Sequence, residues 1–299
     1  MADTHGTTVP IRVEALRNLA AEHPVRALIQ RHGYLDFGLE ALLPPTWFLL
    51  GTPMDQSFGW GAVGSVKFLD YYFKTQVSVT YDLLADLQAR GIHHIPINKY
   101  MPYGTKLYDA IHVFVEKYVA AYYKSDQAVA DDHELQSWAS DCARVPQFKD
   151  FPAKITKRNR LVKLLTHLIY LEGVKHHAMN GATTWSAIAL PYSTAALWKP
   201  MPTRKGEKID LIEYTVPLNK MALAAGLAAV FIRPVPANQS WMGVYDTAPF
   251  TSESELQPAI AELKTKLQHI DEFIEEQESG QAWPYKMLRP SKLPYYGWI

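Results

Sequence analysis

His176 and Asn180 stand four residues apart in the run Val174-Lys-His-His-Ala-Met-Asn180. On a helix this spacing puts both side chains on one face, one turn apart. An imidazole and an amide oxygen aimed together out of an apolar helix are a candidate ligand pair for a first-row transition metal. A hydrogen-bonded pair of polar residues has the same spacing, so the pattern alone leaves both readings open. His177 is a second imidazole beside the first, but only His176 has the four-residue spacing to Asn180. The other unusual stretch is the tail from Pro284 to Ile299, which is rich in Tyr, Trp and Pro and closes on an aliphatic residue. Such a tail either lies on the surface with its carboxylate in water or buries, as its aromatic content favours. Burial would draw the α-carboxylate of Ile299 inward, where it needs a cation or a metal.

The elements that must position these groups read as helices. An apolar helical pattern from Arg158 to about Ala182 carries His176 and Asn180. Residues 12–42 are helix-compatible, with a break or first turn at Pro24. Residues 43–66, rich in Pro, Gly and Trp, read as an irregular loop, and Val66 to Arg90 as a helix stopped by Gly91. A loop is expected over 91–105, then a helix from Lys106 to Lys124 with Ile111, Val115, Val119 and Tyr122 as its apolar stripe. Asp131 to Asp141 reads as a short helix and Pro191 to Ile209 as loop. Ser252 with Glu255 has the form of a capping box opening a helix to about Glu278, with Leu263, Leu267, Ile270 and Ile274 on its buried face. No strand pairs and no repeat stand out, so the chain is expected to be mainly α.

Composition narrows the function. Lys+Arg and Asp+Glu are both 30 in 299 residues, and zero formal net charge argues against nucleic acid or an anionic membrane as partner. Cys142 is the single cysteine, which excludes an internal disulfide and a cysteine-based zinc site. No signal peptide is visible. The most apolar stretch, Met221 to Ile232, is too short to cross a bilayer and reads as a buried helix, so no transmembrane segment and a soluble chain are expected, with localisation open.

Four ordered stretches together resemble the lipoxygenases. Leu16-Arg-Asn-Leu-Ala-Ala-Glu-His-Pro24, with His32 nine residues after His23, is similar to the stretch after that family's second metal histidine. Leu107-Tyr-Asp-Ala-Ile through Val119-Ala-Ala-Tyr-Tyr-Lys-Ser-Asp, then Asp132-His-Glu-Leu-Gln-Ser-Trp138, resembles the segment before the third. His176-His-Ala-Met-Asn180 resembles its His-Ala-Ala-Val-Asn element, and Tyr285 to Ile299 its Pro-rich terminus closing on Ile.

The resemblance implies a fold, a site and a reaction. The fold is a lipoxygenase-type helical catalytic domain, its C-terminal part only, with residues 1–299 as one partial domain. The implied ligands of one iron, or alternatively manganese, are His5 (followed by Pro10, as the family's second histidine is by a Pro), His176, Asn180 and the carboxylate of Ile299. The family's first histidine would fall one position ahead of Met1, or at Met1 itself in the spacing of some manganese-type members, so the chain is expected to begin just after it. The implied substrates are dioxygen and a polyunsaturated fatty acid of linoleate type, converted to a hydroperoxide by hydrogen abstraction from a bis-allylic carbon. A count from His23 places the family's small residue governing oxygen placement at Leu43, which is bulkier. The alternative expectation is a truncated, inactive remnant that binds apolar ligands or a partner, including the missing N-terminal portion of the same protein. The His93-His94 pair reads as surface, and His167 as a core residue.

Overall fold

The periodic apolar positions fold into helices throughout. The computed structural model describes residues 4–34, 45–75, 82–95, 98–181, 197–229, 235–236 and 241–297, with no strand among them and about 61% helix overall. By contacts the chain divides into two compact units, one of residues 1–36, 77–178 and 235–298, the other of 37–76, 179–234 and 299.

In the first unit, α1 (His5–Asn18) and α2 (Pro24–His32) are separated at Pro24, which takes the first turn of α2, where a missing N–H costs nothing. His23 caps α2 by accepting the Val25 N–H at its Nδ1. Pro10 lies inside α1 and withdraws the donor that the Gly6 carbonyl would have; Gln147 Nε2 donates to that carbonyl instead, at 3.4 Å. Helix α5 (Leu83–Ala89) precedes the long α6 (Tyr100–Tyr122), and the short α7 (Asp126–Ala130) and α8 (His133–Cys142) follow. Then come α9 (Arg158–Ile169) and, after it, α12 (Gln257–Glu278), both packed on α6. Flanked by two helices, α6 is buried well beyond one stripe, with Tyr103, Leu107, Ile111, Phe114, Val115 and Tyr118 all inside. Helix α1 packs on α8 and α2.

From Tyr170 the helical backbone widens. Tyr170–Lys175 and His177–Gly181 are π-helical, with His176 between them. Gly173 explains why the C-terminal segment can lie close here: a Cβ at this position would stand 3.2 Å from the Pro294 carbonyl oxygen and 3.0 Å from Met242 Cε. The tail itself is buried from Leu293 to Gly297, so it packs into the unit rather than on its surface.

The second unit holds α3 (Pro53–Ser57), α4 (Gly61–Thr75), α10 (Leu211–Tyr214) and α11 (Met221–Ala229), with α3 packed on α4 and α11. Asp55 accepts the Gly51 and Ala62 N–H groups at 2.8 Å each, which fastens the turn before α4.

Several sequence expectations change. Residues 43–66 are not all loop: Pro53 begins α3, and Asp55 caps the α4 turn, two local bonds that outweigh the Pro and Gly content. Val66 to Arg90 is not one helix: Asp82 lies outside any helix and α5 starts at Leu83. Helix α6 starts at Tyr100 rather than Lys106, with Pro102 tolerated in its first turn. The Ala-rich α11 packs on α3, yet only Ala224 and Leu227 of its residues are buried, so it is not the buried helix expected; its alanines favour helix on their own. Ser252 is no N-cap, because its hydroxyl donates to the Pro249 carbonyl, and α12 begins at Gln257 after a 3-10 turn. Among the described residues no helix is long and apolar enough to cross a membrane.

Candidate metal centre

His5 is the first residue of α1 and is buried, its helix fixed from behind by Trp138 Nε1, which donates to the Ile11 carbonyl at 3.1 Å. His176 is fully buried in the widened part of the α9 helix. Their Nε2 atoms face one another at 2.7 Å, the rings edge-to-face with centroids 4.4 Å apart. Burial, and His5 beside it, hold His176 well below the ordinary imidazole range, so its ring is neutral and keeps a lone pair.

Two imidazole nitrogens facing this closely have two uses. One proton can be shared between them as an N–H···N bond. Alternatively, both lone pairs can be given to one cation. A metal–nitrogen bond of about 2.1 Å sets two ligands at right angles about 3 Å apart, near the observed separation. The pair fits a transition metal. Among the described residues no third His, Cys, Asp or Glu joins it.

The Asn180 backbone lies in the second π segment; its side chain, Leu43 and Ile299 fall outside the described residues. The nitrogen meeting His5 belongs to His176; the neighbouring His177 is buried too, and burial lowers it to about 4. His93 and His94 are exposed, and His167 is buried in the core, both as expected.

The lipoxygenase family model matches residues 88–296. The chain belongs to the lipoxygenase family. It is 30% identical over 318 residues to a manganese lipoxygenase of Colletotrichum gloeosporioides (strain Cg-14), covering 99% of this chain and 52% of that one. It is 27% identical to human polyunsaturated fatty acid lipoxygenase ALOX15B, covering 92% and 41%. Among solved structures, a coral 8R-lipoxygenase superposes with TM-score 0.86 at 29% identity, over 99% of this chain and 46% of that one. A manganese lipoxygenase gives 0.80 at 28%, over 99% and 56%. The chain thus spans about half the length, or less, of these lipoxygenase relatives.

One buried group near this centre was noted in the sequence only for its place after His23. His32, at the end of α2, is fully buried, with Nδ1 2.6 Å from the Tyr295 carbonyl and Nε2 2.9 Å from the Tyr245 hydroxyl. A carbonyl only accepts, so Nδ1 carries the hydrogen and Nε2 accepts from Tyr245. Burial, helped by Arg31, lowers the imidazole to about 3 despite the bond to the Tyr295 carbonyl; burial raises Tyr245, keeping its phenol a donor. Arg12 and Glu172 line the same pocket from α1 and the widened helix.

A pH dependence follows. The unfolded chain protonates an ordinary histidine near pH 6.5, the folded chain His32 only near 3. Between these values the unfolded state binds more protons, so stability is complete above about 6.5 and falls as pH drops, by up to about 1.4 kcal/mol per unit. Urea titrations at pH 7, 5.5 and 4.5 check this: the parent should lose stability faster than His32→Gln, and equal slopes would rule His32 out as the source.

Proposed function

We propose that this chain carries the metal-holding part of a polyunsaturated fatty acid dioxygenase, with one iron or manganese bound by His5, His176, Asn180 and the α-carboxylate of Ile299. The observation that carries the reading is the 2.7 Å approach of two buried imidazole nitrogens from helices remote in sequence. Family membership and relatives whose printed names are manganese and polyunsaturated fatty acid lipoxygenases support it.

The donor set suits such a metal: imidazoles, an amide oxygen and one carboxylate leave it with residual positive charge and room for a further ligand. When bound, the metal supplies the one-electron chemistry that lets a bis-allylic C–H bond break and dioxygen add to the resulting carbon radical. The chain's own part is to bring the two buried ring nitrogens together and to keep water from their surroundings. Residues 1–299 are read as part of one catalytic domain.

The test is elemental analysis of the purified chain, joined to conjugated-diene absorbance on mixing with linoleate in air. Near-stoichiometric iron or manganese with diene formation supports the dioxygenase reading. A chain that takes up neither metal and forms no diene is the inactive remnant of the alternative reading.

A further inference from the structure

We propose that His32 is a positioning residue: it pins the C-terminal segment at Tyr295 and so presents the Ile299 carboxylate to the metal. This inference rests on the ligand set proposed above. The pin itself rests on geometry within one unit of the chain. His32 Nδ1–H donates to the Tyr295 carbonyl, Tyr245 donates to Nε2, and both contacts are buried. The neighbouring Arg31 lies 3.8 Å over the Tyr295 ring, with its guanidinium held by Asp246 at 2.8 Å. On the other side, Pro294 packs against Gly173, three residues before His176. The segment is therefore gripped at consecutive residues, by α2 and by the helix that carries His176.

Ile299 lies only four positions beyond Tyr295. Fully extended, a stretch of that length reaches about 14 Å. A pin at this point keeps the terminal carboxylate within that reach of Tyr295. Tyr245 acts one step further out, fixing the tautomer by which His32 donates to the tail, in the way that second partners orient metal ligands.

The test compares the full chain with His32→Leu, with Tyr245→Phe (milder, and retaining the ring packed 4.9 Å from Phe114), with a chain lacking Ile299, and with the His32→Leu change in that shortened chain. Hydrogen–deuterium exchange of residues 288–297 is read without metal, and Mn2+ affinity by titration. Both point variants should speed tail exchange by about 10-fold or more and weaken Mn2+ binding about 10- to 100-fold, the range for outer-shell partners. His32→Leu should weaken binding no further once Ile299 is removed. Unchanged tail exchange in both point variants overturns the pin. An equal loss of affinity with and without Ile299 overturns the route through the carboxylate. If removing Ile299 itself leaves Mn2+ affinity at the parent value, the ligand set proposed above fails, and the positioning role fails with it, whatever the exchange shows; exchange then reports separately whether His32 holds the tail.

Discussion

Replacing His176 with alanine is expected to lower metal affinity by more than about 100-fold and to bring diene formation from linoleate down to background. The lower bound follows because even outer partners of a ligand are worth about 10- to 100-fold, whereas His176 is proposed to give its nitrogen to the metal directly. His5 Nε2 would lose the group that meets it at 2.7 Å. His177→Ala is the control that decides between adjacent imidazoles, and its metal content should match the parent. Elemental analysis after dialysis reads both. Full metal in His176→Ala, or its loss in His177→Ala alone, would reassign the ligand. A thermal melt of the metal-free variants separates loss of the site from loss of the fold.

The second large effect is on stability. Trp138→Ala should cost about 3–5 kcal/mol, the range for a large buried aromatic, with about 1 kcal/mol more for the lost bond to the Ile11 carbonyl. Trp138 is wholly buried, meets Phe151 edge-on with centroids 5.5 Å apart, and ties α8 to α1. Other hydrogen bonds nearby lie at the edge of that contact: Asn18 Nδ2 to Asp141 Oδ2 at 3.1 Å, and the N–H of Ala20, just past α1, to Glu134 Oε2 at 2.6 Å. A loss of this size is a large share of the about 5–15 kcal/mol that holds a typical domain folded. It should also loosen α1 and with it His5, so Mn2+ affinity should fall with no ligand altered. Urea unfolding measures the first effect and titration the second. A change in stability under about 1 kcal/mol would mean that α1 and α8 are joined elsewhere.

What could be read from the sequence was whatever has a short period. The apolar stripes of α6 and α12, the break at Pro24 and the helix bearing His176 all follow from spacing three and four. His5 was reachable only through family resemblance, since 171 residues separate it from His176 and no local pattern spans that distance. The starts of α6 and α12 are hidden from residue type, because the place of Pro102 in its turn and the hydrogen bond of Ser252 to Pro249 decide the outcome. The exposure of α11 was missed for a related reason: apolar composition does not say whether another layer exists to cover it. The grip on the tail had one legible sign, Gly173 inside a helical pattern, where a missing side chain often marks close approach of another segment.

The widened turns before and after His176 set a condition on how this helix can change. A π turn amounts to one residue more than the α turn it replaces. Each residue in an α-helix advances the side chains by about 100°. Deleting one residue from Tyr170–Lys175 would let that stretch close into ordinary α-helix, with better local bonding. Because the π turn and the α turn replacing it each make one rotation, His176 would keep its direction toward His5; the same deletion within the α-helical α9 would instead swing it by about 100°. The widened stretch is therefore the one part of the helix ahead of His176 that could lose a single residue without turning its ring away from His5.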